Sequence, residues 1–392
     1  MTVILFWVCI GLLAYTYVGF PLVLALRARL FPRPYQLGDI TPRVSLIIAA
    51  HNEAATIGTK LENILALDYP RTQIEVVVAS DGSSDGTDEI VRRFDHRGVR
   101  LLSLSRRGKA ATLNAAVKVC TGEMLVFSDA NSMFHPHALL ALVRPLADWR
   151  VGGVAGDQRY LRAAKRLGAD EGERRYWDFD RRLKQWQSAA GHVTSATGAI
   201  YAIRRELFRT VPEGMTDDFA VSTAVIDQGY RLVFASGAIA YEPAADAADA
   251  EFARKVRIIT RGLRGVVEGR SLLNPFRHGF YALQLFSHKV LRRLMALPLL
   301  LLLAVSPWLW SAGSWYPWAI VGQAVGYGCA ALGWVFRRGP IGRTKLLALP
   351  MYFSLVNLAS LVALANVVRG RRIVAWQPRR EVSTVPGVGS VR

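Results

Sequence analysis

Short apolar runs alternate with helix-like segments through the middle of the chain, between about residues 40 and 270. Four of these runs predict buried strands, because β-branched and aliphatic residues fill them: 44–50, 74–80, 99–104 and 123–129. Apolar residues recur with helical spacing in the segments between them: 53–67, 86–94 and 108–119. Strands that alternate with helices in this way predict a parallel, doubly wound α/β sheet.

The most apolar segments lie toward the two ends of the chain. Residues 1–26 carry no charged side chain, and three arginines follow them within seven positions. A signal peptide has its positive charges before the apolar run, so this segment is predicted to be a signal anchor whose C-terminal side is cytoplasmic. The uncharged block 294–336 is long enough for two crossings, with a break near Ser311–Pro317 in a cluster of tryptophans.

A further uncharged stretch, 346–368, is also long enough to cross a membrane, and it decides whether the number of crossings after residue 294 is even or odd. Three crossings that begin in the cytoplasm at residue 294 would leave the basic tail, 369–392, outside, where the positive-inside rule does not expect it. Either 346–368 does not cross fully, or the rule fails here. Before the block, apolar and basic residues alternate with helical spacing over 274–293, which predicts an amphipathic helix on the cytoplasmic membrane face or, alternatively, a core helix.

Composition narrows the classes of protein and partner. The chain of 392 residues is 52% hydrophobic and 20% charged, which excludes a disordered chain. The net charge of +19 favours anionic lipid, nucleic acid or a phosphate-bearing substrate, but no nucleic-acid motif accompanies it, so we expect no nucleic-acid partner. Three cysteines give neither a disulfide framework nor the spacing of a cysteine metal site.

Polar residues follow three of the predicted strands directly. Asn52 and Glu53 come after the first, the run DGSSDG (81–86) after the second, and Asp129 and Asn131 end the fourth. Because ligands bind at the carboxyl ends of parallel strands, these groups predict a nucleotide-type pocket, although DGSSDG alone also fits a turn and a helix cap. The oxygens of the last pair are hard ligands suited to Mg²⁺ or Mn²⁺.

Six motifs, taken in order, resemble those of the membrane-bound family-2 glycosyltransferases. They are VSLIIAAHNE (44–53), VVASDGSSDGT (77–87), GKAATLNAA (108–116), FSDAN (127–131), TGAIYAIRRELF (197–208) and TDDF (216–219). The resemblance implies a GT-A fold flanked by transmembrane helices, as in bacterial polysaccharide synthases, in the inner (plasma) membrane. The implied order is an anchor (1–26), a cytoplasmic GT-A domain (40–270), an interfacial helix (274–293), a multi-pass transmembrane region (294–368) and a basic tail (369–392).

The resemblance also implies a site for a nucleotide sugar, in particular a UDP-sugar. Asp81 stands where the family reads the uracil ring, and Lys109 stands where the family has a lysine beside the diphosphate. Asp129 and Asn131 replace the family's Asp-x-Asp, so the metal would be held with one negative charge fewer. The residues expected to bind the nucleotide sugar are Ala50, Asn52, Glu53, Asp81, Lys109, Asp129, Arg254 and Arg257.

Two further motifs resemble the family's acceptor and base segments. Thr197 and Gly198 resemble the segment beside the acceptor sugar. The run TDD (216–218) resembles a Thr-Glu-Asp motif whose last aspartate is the general base, so Asp218 is the expected base, and Asp217 stands in the position of the glutamate. An inverting displacement needs such a carboxylate opposite the leaving group.

The run RKVRI (254–258) resembles the family's Gln-x-x-Arg-Trp motif. Arg257 then corresponds to the arginine that holds the diphosphate, with Arg254 beside it. Ile258 takes the position of a tryptophan on which the acceptor sugar stacks in processive synthases. Isoleucine offers no aromatic face, so this difference favours transfer of a single sugar over processive growth.

Three functions follow as hypotheses. The first is an inverting hexosyl- or N-acetylhexosaminyltransferase that adds one sugar to a lipid-linked or growing saccharide in cell-surface polysaccharide synthesis. The second is a processive synthase of a chitin-, hyaluronan- or glucosamine-like homopolymer. The third is a non-enzymatic basic membrane anchor. The first two predict a nucleotide sugar, a saccharide acceptor and membrane lipids as partners, whereas the sequence specifies neither the donor sugar nor any protein partner.

Overall fold

The computed structural model describes residues 1–161, 170–243, 248–337 and 339–371. The chain divides into two compact units. The sheet unit contains the described residues 33–161 and 191–243, and the helical unit contains 1–32, 170–190, 248–337 and 339–371. The predicted basic tail lies outside the described residues from position 372 onward.

Eight strands form one sheet in the sheet unit. They are β1 Val44–Ala50, β2 Ile74–Asp81, β3 Val99–Leu104, β4 Met124–Asp129, β5 Met133–Phe134, β6 Val151–Leu161, β7 Tyr201–Arg204 and β8 Arg231–Pro243. Their order is β3-β2-β1-β4-β7-β6-β8-β5. Strands β1 to β4 are parallel, β7 is antiparallel to β4 and β6, and β8 is parallel to β6. The sheet is therefore mixed but mostly parallel, as the GT-A type requires.

Helices connect the strands and make up most of the helical unit. They are α1 Thr2–Leu30, α2 Ala54–Leu65, α3 Thr87–Arg92, α4 Lys109–Val119, α5 Ala138–Val143, α6 Asp170–Ala190, α7 Asp217–Asp227, α8 Ala248–Glu268, α9 Pro275–His278, α10 Phe280–Leu294, α11 Ala296–Leu309, α12 Trp315–Val335 and α13 Lys345–Val368. Over residues 44–129 the strands and helices agree with the predicted ones to within two residues at each end.

The core of the sheet unit explains why the first strands read as continuous apolar runs. All seven residues of β1 are buried, because the strand is central and covered on both faces. Ile57, Leu61 and Ile64 form the apolar face of α2 and pack in the same cluster as Leu46 of β1. Burying each such side chain contributes about 2 kcal/mol, so this layer fixes where the carboxyl end of β1 lies.

In the helical unit, α1, α12 and α13 are each long and apolar enough to span a membrane. Helices α10 and α11 meet the same criterion together, as a pair bent by 45°. The predicted break in the block 294–336 agrees with the structure, since α11 ends at Leu309 and α12 begins at Trp315. The predicted anchor corresponds to α1, which continues to Leu30.

The segment 274–293, predicted as a single amphipathic helix, is divided. Gly279 has a φ of +54°, a conformation that favours glycine, and it separates α9 from α10, the first helix of the bent pair. The predicted apolar face is exposed at Leu283 and Phe286, whereas the polar Gln284 and Ser287 are buried. An exposed apolar face with a buried polar one is the pattern of a helix that faces lipid.

Candidate active site

The loops after β1 and β2 are tied together by hydrogen bonds. Oδ1 of Asn52 accepts the N–H of Ser84 at 2.9 Å, with Asn52 at a φ of +53°, which asparagine tolerates better than most residues. Glu53 is buried, and its N–H donates to Oγ1 of Thr87 at 2.9 Å. The polar groups of both residues therefore hold the loops in place, and their contact with a nucleotide, like that of Ala50, stays a prediction.

Asp81 is fully buried at the end of β2. Its carboxylate accepts the N–H of Arg107 at 2.7 Å and that of Gly108 at 3.0 Å, and the Arg106 guanidinium lies 3.6 Å away. At Gly82 a Cβ would lie 2.9 Å from the Arg106 nitrogen, so only glycine permits this approach. The carboxylate predicted to read the base thus holds the loop that leads into α4, and base recognition by it stays a prediction.

Three residues from separate motifs meet at the carboxyl edge of the sheet. Nζ of Lys109, at the start of α4, lies 2.7 Å from Oδ1 of Asp129 and 3.1 Å from Oδ2 of Asp217. Burial disfavours the ammonium, but the two carboxylates outweigh it and hold the pKa of Lys109 above its ordinary value. The lysine is therefore a fixed point charge, suited to bind a diphosphate.

Asp218 is half-buried at the beginning of α7, directly after Asp217. Its Oδ1 accepts the N–H of Phe219 at 2.8 Å. A helix N-terminus stabilises negative charge, and this contact fixes one oxygen of the carboxylate. The geometry gives a carboxylate in a defined orientation within the first turn of the helix, as a general base requires.

The end of β4 carries Asp129, the predicted metal ligand, close to the backbone of Gly198. A Cβ at Gly198 would lie 2.7 Å from Oδ2 of Asp129, so the glycine leaves space for this carboxylate. No group of three His, Cys, Asp or Glu that could surround a metal occurs among the described residues. Asp129 and Asn131 fit Mg²⁺ or Mn²⁺ only if a bound diphosphate and water supply the other ligands, which is common for Mg²⁺. The acceptor contact predicted for Thr197 stays a prediction.

Sequence reasoning missed Lys60, which is fully buried. Its Nζ donates to Oγ of Ser128 at 2.8 Å and to the carbonyl of Ser132, so it clamps both sides of the turn that carries the predicted metal ligands. Burial lowers the pKa of Lys60 to about 7, although Asp129 and Glu242 favour its charged form. The signal in the sequence is a lysine on the apolar face of α2.

Replacing Lys60 by methionine should alter the pH dependence of stability. Between pH 7 and about 10 the unfolded chain keeps a proton that the folded chain has released, so Lys60 makes the free energy of unfolding rise with pH. Lys60→Met removes this contribution, so its Tm should gain less over that range than the wild-type Tm. Thermal unfolding in one detergent at stepped pH measures both, with the exposed Lys118→Met as control. Equal pH slopes for Lys60→Met and the wild type would contradict the assignment.

A second missed residue is Tyr201, whose hydroxyl is buried and has no hydrogen-bond partner among the residues that the structure describes. Its ring stacks on Phe127, with the centroids 4.7 Å apart. Burial and the nearby carboxylates of Asp217, Asp218 and Asp129 raise the pKa of Tyr201 well above its ordinary value. The phenol is therefore a neutral donor in the field of the three carboxylates.

The predicted Gln-x-x-Arg-Trp counterpart lies on α8, in the helical unit. Arg257 is half-buried, and burial together with the neighbouring Arg261 and Arg254 lowers the pKa of its guanidinium. Ile258 is exposed on the same helix. These like charges make the helix face a candidate anion site, and the contacts predicted for Arg254 and Arg257 with the diphosphate, and for Ile258 with an acceptor, stay predictions.

Two curated relatives and one solved structure are similar to the chain. "Probable glycosyltransferase YdaM" of Bacillus subtilis (strain 168) is 28% identical over 217 residues, 51% of this chain and 50% of that protein. "Poly-beta-1,6-N-acetyl-D-glucosamine synthase" of Staphylococcus epidermidis is 27% identical over 209 residues, 52% of this chain and 48% of that protein. The chain thus spans about half the length of these relatives.

The solved structure supports the fold, and a family model supports the family. The mannosyltransferase PcManGT from Pyrobaculum calidifontis, in complex with GDP-Man and Mn²⁺, has a TM-score of 0.70 at 24% identity, covering 94% of this chain and 99% of that one. The model for "Glycosyltransferase like family 2" matches residues 42–264, more than half of the chain. The match includes β1 to β8 and the three residues that meet at the sheet edge, Lys109, Asp129 and Asp217. The chain therefore belongs to glycosyltransferase family 2.

Proposed function

We propose that this glycosyltransferase is an inverting, membrane-bound enzyme that moves one sugar from a nucleotide sugar to a lipid-linked or growing saccharide in cell-surface polysaccharide synthesis. The observation that carries the proposal is the meeting of Lys109 with Asp129 and Asp217, in the same turn as Asp218. We assign Lys109 as a fixed cation, Asp129 as the carboxylate for a metal and Asp218 as the carboxylate that acts as base. A non-enzymatic membrane anchor has no need of such a site.

In the proposed transfer, Asp218 acts as the base, and Lys109 binds the leaving diphosphate. The oxygen of the acceptor hydroxyl attacks the anomeric carbon of the donor sugar from the face opposite the leaving group, and Asp218 accepts the proton of that hydroxyl. The bond to the nucleoside diphosphate breaks, and Lys109 binds the negative charge that develops on the diphosphate. A bound Mg²⁺ or Mn²⁺, held by Asp129 and Asn131, would add charge stabilisation at the same oxygens. PcManGT, the similar mannosyltransferase, was crystallised with Mn²⁺, which supports a divalent cation here.

The proposed donor is a UDP-sugar, because Asp81 stands where the family reads the uracil ring. A GDP-sugar is the alternative, because the structure of PcManGT is a complex with GDP-Man. Purified protein with membrane lipid extract should release a nucleoside diphosphate from one member of a panel of UDP- and GDP-sugars. Separation of radiolabelled products on a sizing gel then distinguishes one addition from many. Lack of release from every donor, with the lipid extract present, would contradict the proposal.

A processive synthase is the second candidate function. The similarity to a poly-beta-1,6-N-acetyl-D-glucosamine synthase favours it, whereas the exposed Ile258 in place of an aromatic residue favours single addition. An isoleucine buries apolar surface against a sugar ring but lacks the π-face on which such rings stack. A ladder of long products from donor alone would establish processive growth.

The proposed location is the inner membrane, with several crossings and the sheet unit in the cytoplasm. Helix α1 carries Arg27 and Arg29 in its last turn, and the positive-inside rule retains such arginines in the cytoplasm. The tryptophans Trp308, Trp310, Trp315 and Trp318 are all exposed at the turn between α11 and α12, as expected of an aromatic belt at the opposite surface. Both observations support the same orientation.

Charge reversal at Arg292 and Arg293 should weaken binding of a lipid-phosphate acceptor. Both residues lie in the last turn of α10, at the bend between α10 and α11. Arginines at headgroup level bind phosphate, at about 1 kcal/mol for each charge. The double variant to glutamate should therefore raise the apparent KM for the acceptor at least ten-fold and leave the donor KM unchanged. Arg92→Glu, at an exposed arginine of α3, is the matched control, and an unchanged acceptor KM in the double variant would contradict the assignment.

A further inference from the structure

Helix α13 is apolar enough to cross a membrane, and the residues that it contacts at its start, middle and end indicate at which level of the helical unit it lies. At its start, α13 packs against the end of α12. A Cβ at Gly333 would lie 2.6 Å from the carbonyl oxygen of Leu347 and 3.0 Å from Cβ of Met351. The first two turns of α13 therefore lie beside the last turn of α12.

Farther along, α13 contacts the inner part of α1. The ring of Phe353 lies 5.8 Å from that of Tyr17. Three residues later, or about 4.5 Å along the axis, Phe20 packs with Leu183 of α6 and with Phe280 at the start of α10. Tyr17 is thus close to the level at which α1 leaves its apolar surroundings for helices that carry charge.

The opposite end of α1 marks the other level. Phe6 and Cys9 pack with Leu309 of α11 and Tyr316 of α12, next to the exposed tryptophans. The bent pair therefore runs from the level of Phe20 to that of Phe6, and α12 begins at the second level. No described residue of α13 belongs to the apolar cluster of Phe6 and Cys9.

The last turns of α13 lie beside α8. Ala359 and Ala363 pack against Ile259 and Leu263 on the apolar face of α8. The Arg264 guanidinium donates to the carbonyl oxygen of Arg371, just beyond α13, at 2.8 Å. Four residues, 244–247, separate α8 from β8, too few to cross a bilayer. The two ends of α13 therefore lie beside the last turn of α12 and beside α8.

The charges on α8 exclude the alternative in which α8 and α13 enter the bilayer together. Arg254, Arg257, Arg261 and Arg264 recur every three or four residues, so they share one face over about 15 Å. Arginines are costly in the hydrocarbon core, so α8 lies at its surface.

We propose that α13 lies along the cytoplasmic surface of the membrane instead of crossing it, and forms with α8 a two-helix interfacial platform. Helix α1, the bent pair and α12 then supply three crossings, and the arginine-rich tail that follows Val368 stays on the cytoplasmic side. The parity conflict with the positive-inside rule disappears. The exposed Leu349 and Leu358 face the acyl chains, and the arginine face of α8 lies at the level of anionic headgroups.

The depth of spin labels in nanodiscs tests the platform in the full chain. Single labels replace the exposed Leu346, Leu358 and Val368, with Val325 in the middle of α12 as the deep control. Cys9, Cys120 and Cys329 are replaced by serine in every variant. Accessibility to oxygen and to a water-soluble nickel complex should give similar, shallow depths for the three α13 labels and a deep position for Val325. A Leu358 label as deep as that at Val325 would overturn the proposal.

Sidedness supplies an independent measurement, in intact cells with an impermeant maleimide. In the variant without native cysteines, a single cysteine is introduced at the exposed Ser314, at the exposed Thr344, or after Arg392. We expect labelling at Ser314, and protection at Thr344 and at the appended cysteine until the cells are permeabilised. Labelling of the appended cysteine with Thr344 protected would overturn the platform. Protection of Ser314 with both others labelled would invert the proposed orientation of the enzyme but would still support the platform, because both ends of α13 would share one side.

Discussion

Asp218→Asn is expected to lower kcat by about 10²–10⁴-fold while the nucleotide sugar still binds. The amide oxygen keeps the hydrogen bond from the N–H of Phe219, so the start of α7 stays in place. The amide takes up no proton, so the acceptor hydroxyl is no longer activated. Initial rates over a range of donor concentrations, together with donor affinity from isothermal calorimetry, separate the two effects.

Asp217→Asn is the matched control, because it changes the neighbouring carboxylate by the same single group. Asp217 contacts Lys109 at 3.1 Å, so its loss should weaken the placement of the lysine and raise the donor KM more than it lowers kcat. A kcat within a few-fold of wild type in Asp218→Asn, with a large loss in Asp217→Asn, would assign the base to Asp217 instead.

Asp129→Ala is expected to reduce transfer by at least about 10³-fold, the equivalent of about 4 kcal/mol of charge stabilisation. This carboxylate is the negatively charged member of the predicted metal pair, and it also holds Lys109 at 2.7 Å. Its removal takes away the metal ligand and frees the lysine at once. Activity of wild type and variant in EDTA and over a Mn²⁺ titration, with circular dichroism to verify folding, gives the measurement.

Asn131→Asp is the companion variant, because it adds to the same turn the carboxylate that the family usually has. Mn²⁺ in the presence of UDP should bind more tightly to it than to wild type, which electron paramagnetic resonance of free Mn²⁺ quantifies. An unchanged dissociation constant would mean that Asn131 is not a ligand. Full wild-type activity in EDTA would contradict the metal role of Asp129.

The sequence by itself determined the strands and helices over residues 44–129 and the family. Parallel strands that are buried on both faces appear as continuous apolar runs, and helices between them show a 3.6-residue period. The residues around each strand end are contiguous in sequence, so motifs such as VVASDGSSDGT and FSDAN can be recognised without coordinates. The uncharged lengths of the terminal segments likewise follow from composition alone.

The antiparallel part of the sheet could not be predicted in this way. Strands β6 and β7 differ in length, at 11 and four residues; β7 pairs with β4, and β6 pairs with β7, although all three come from distant parts of the chain. Nothing local specifies such pairings, because register and direction depend on which edge is free after the first strands have assembled.

Tertiary structure alone decided which polar groups are buried and what they contact. Lys60 is an ordinary lysine in the sequence, and it becomes a buried clamp on the turn of Asp129 because the apolar face of α2 carries it under the sheet edge. Asp81 holds the loop before α4, and α13 packs against α8. Both contacts join residues that are far apart in sequence. Local patterns record propensity and periodicity, whereas burial, charge pairing and membrane depth are set by residues that only the folded chain brings together.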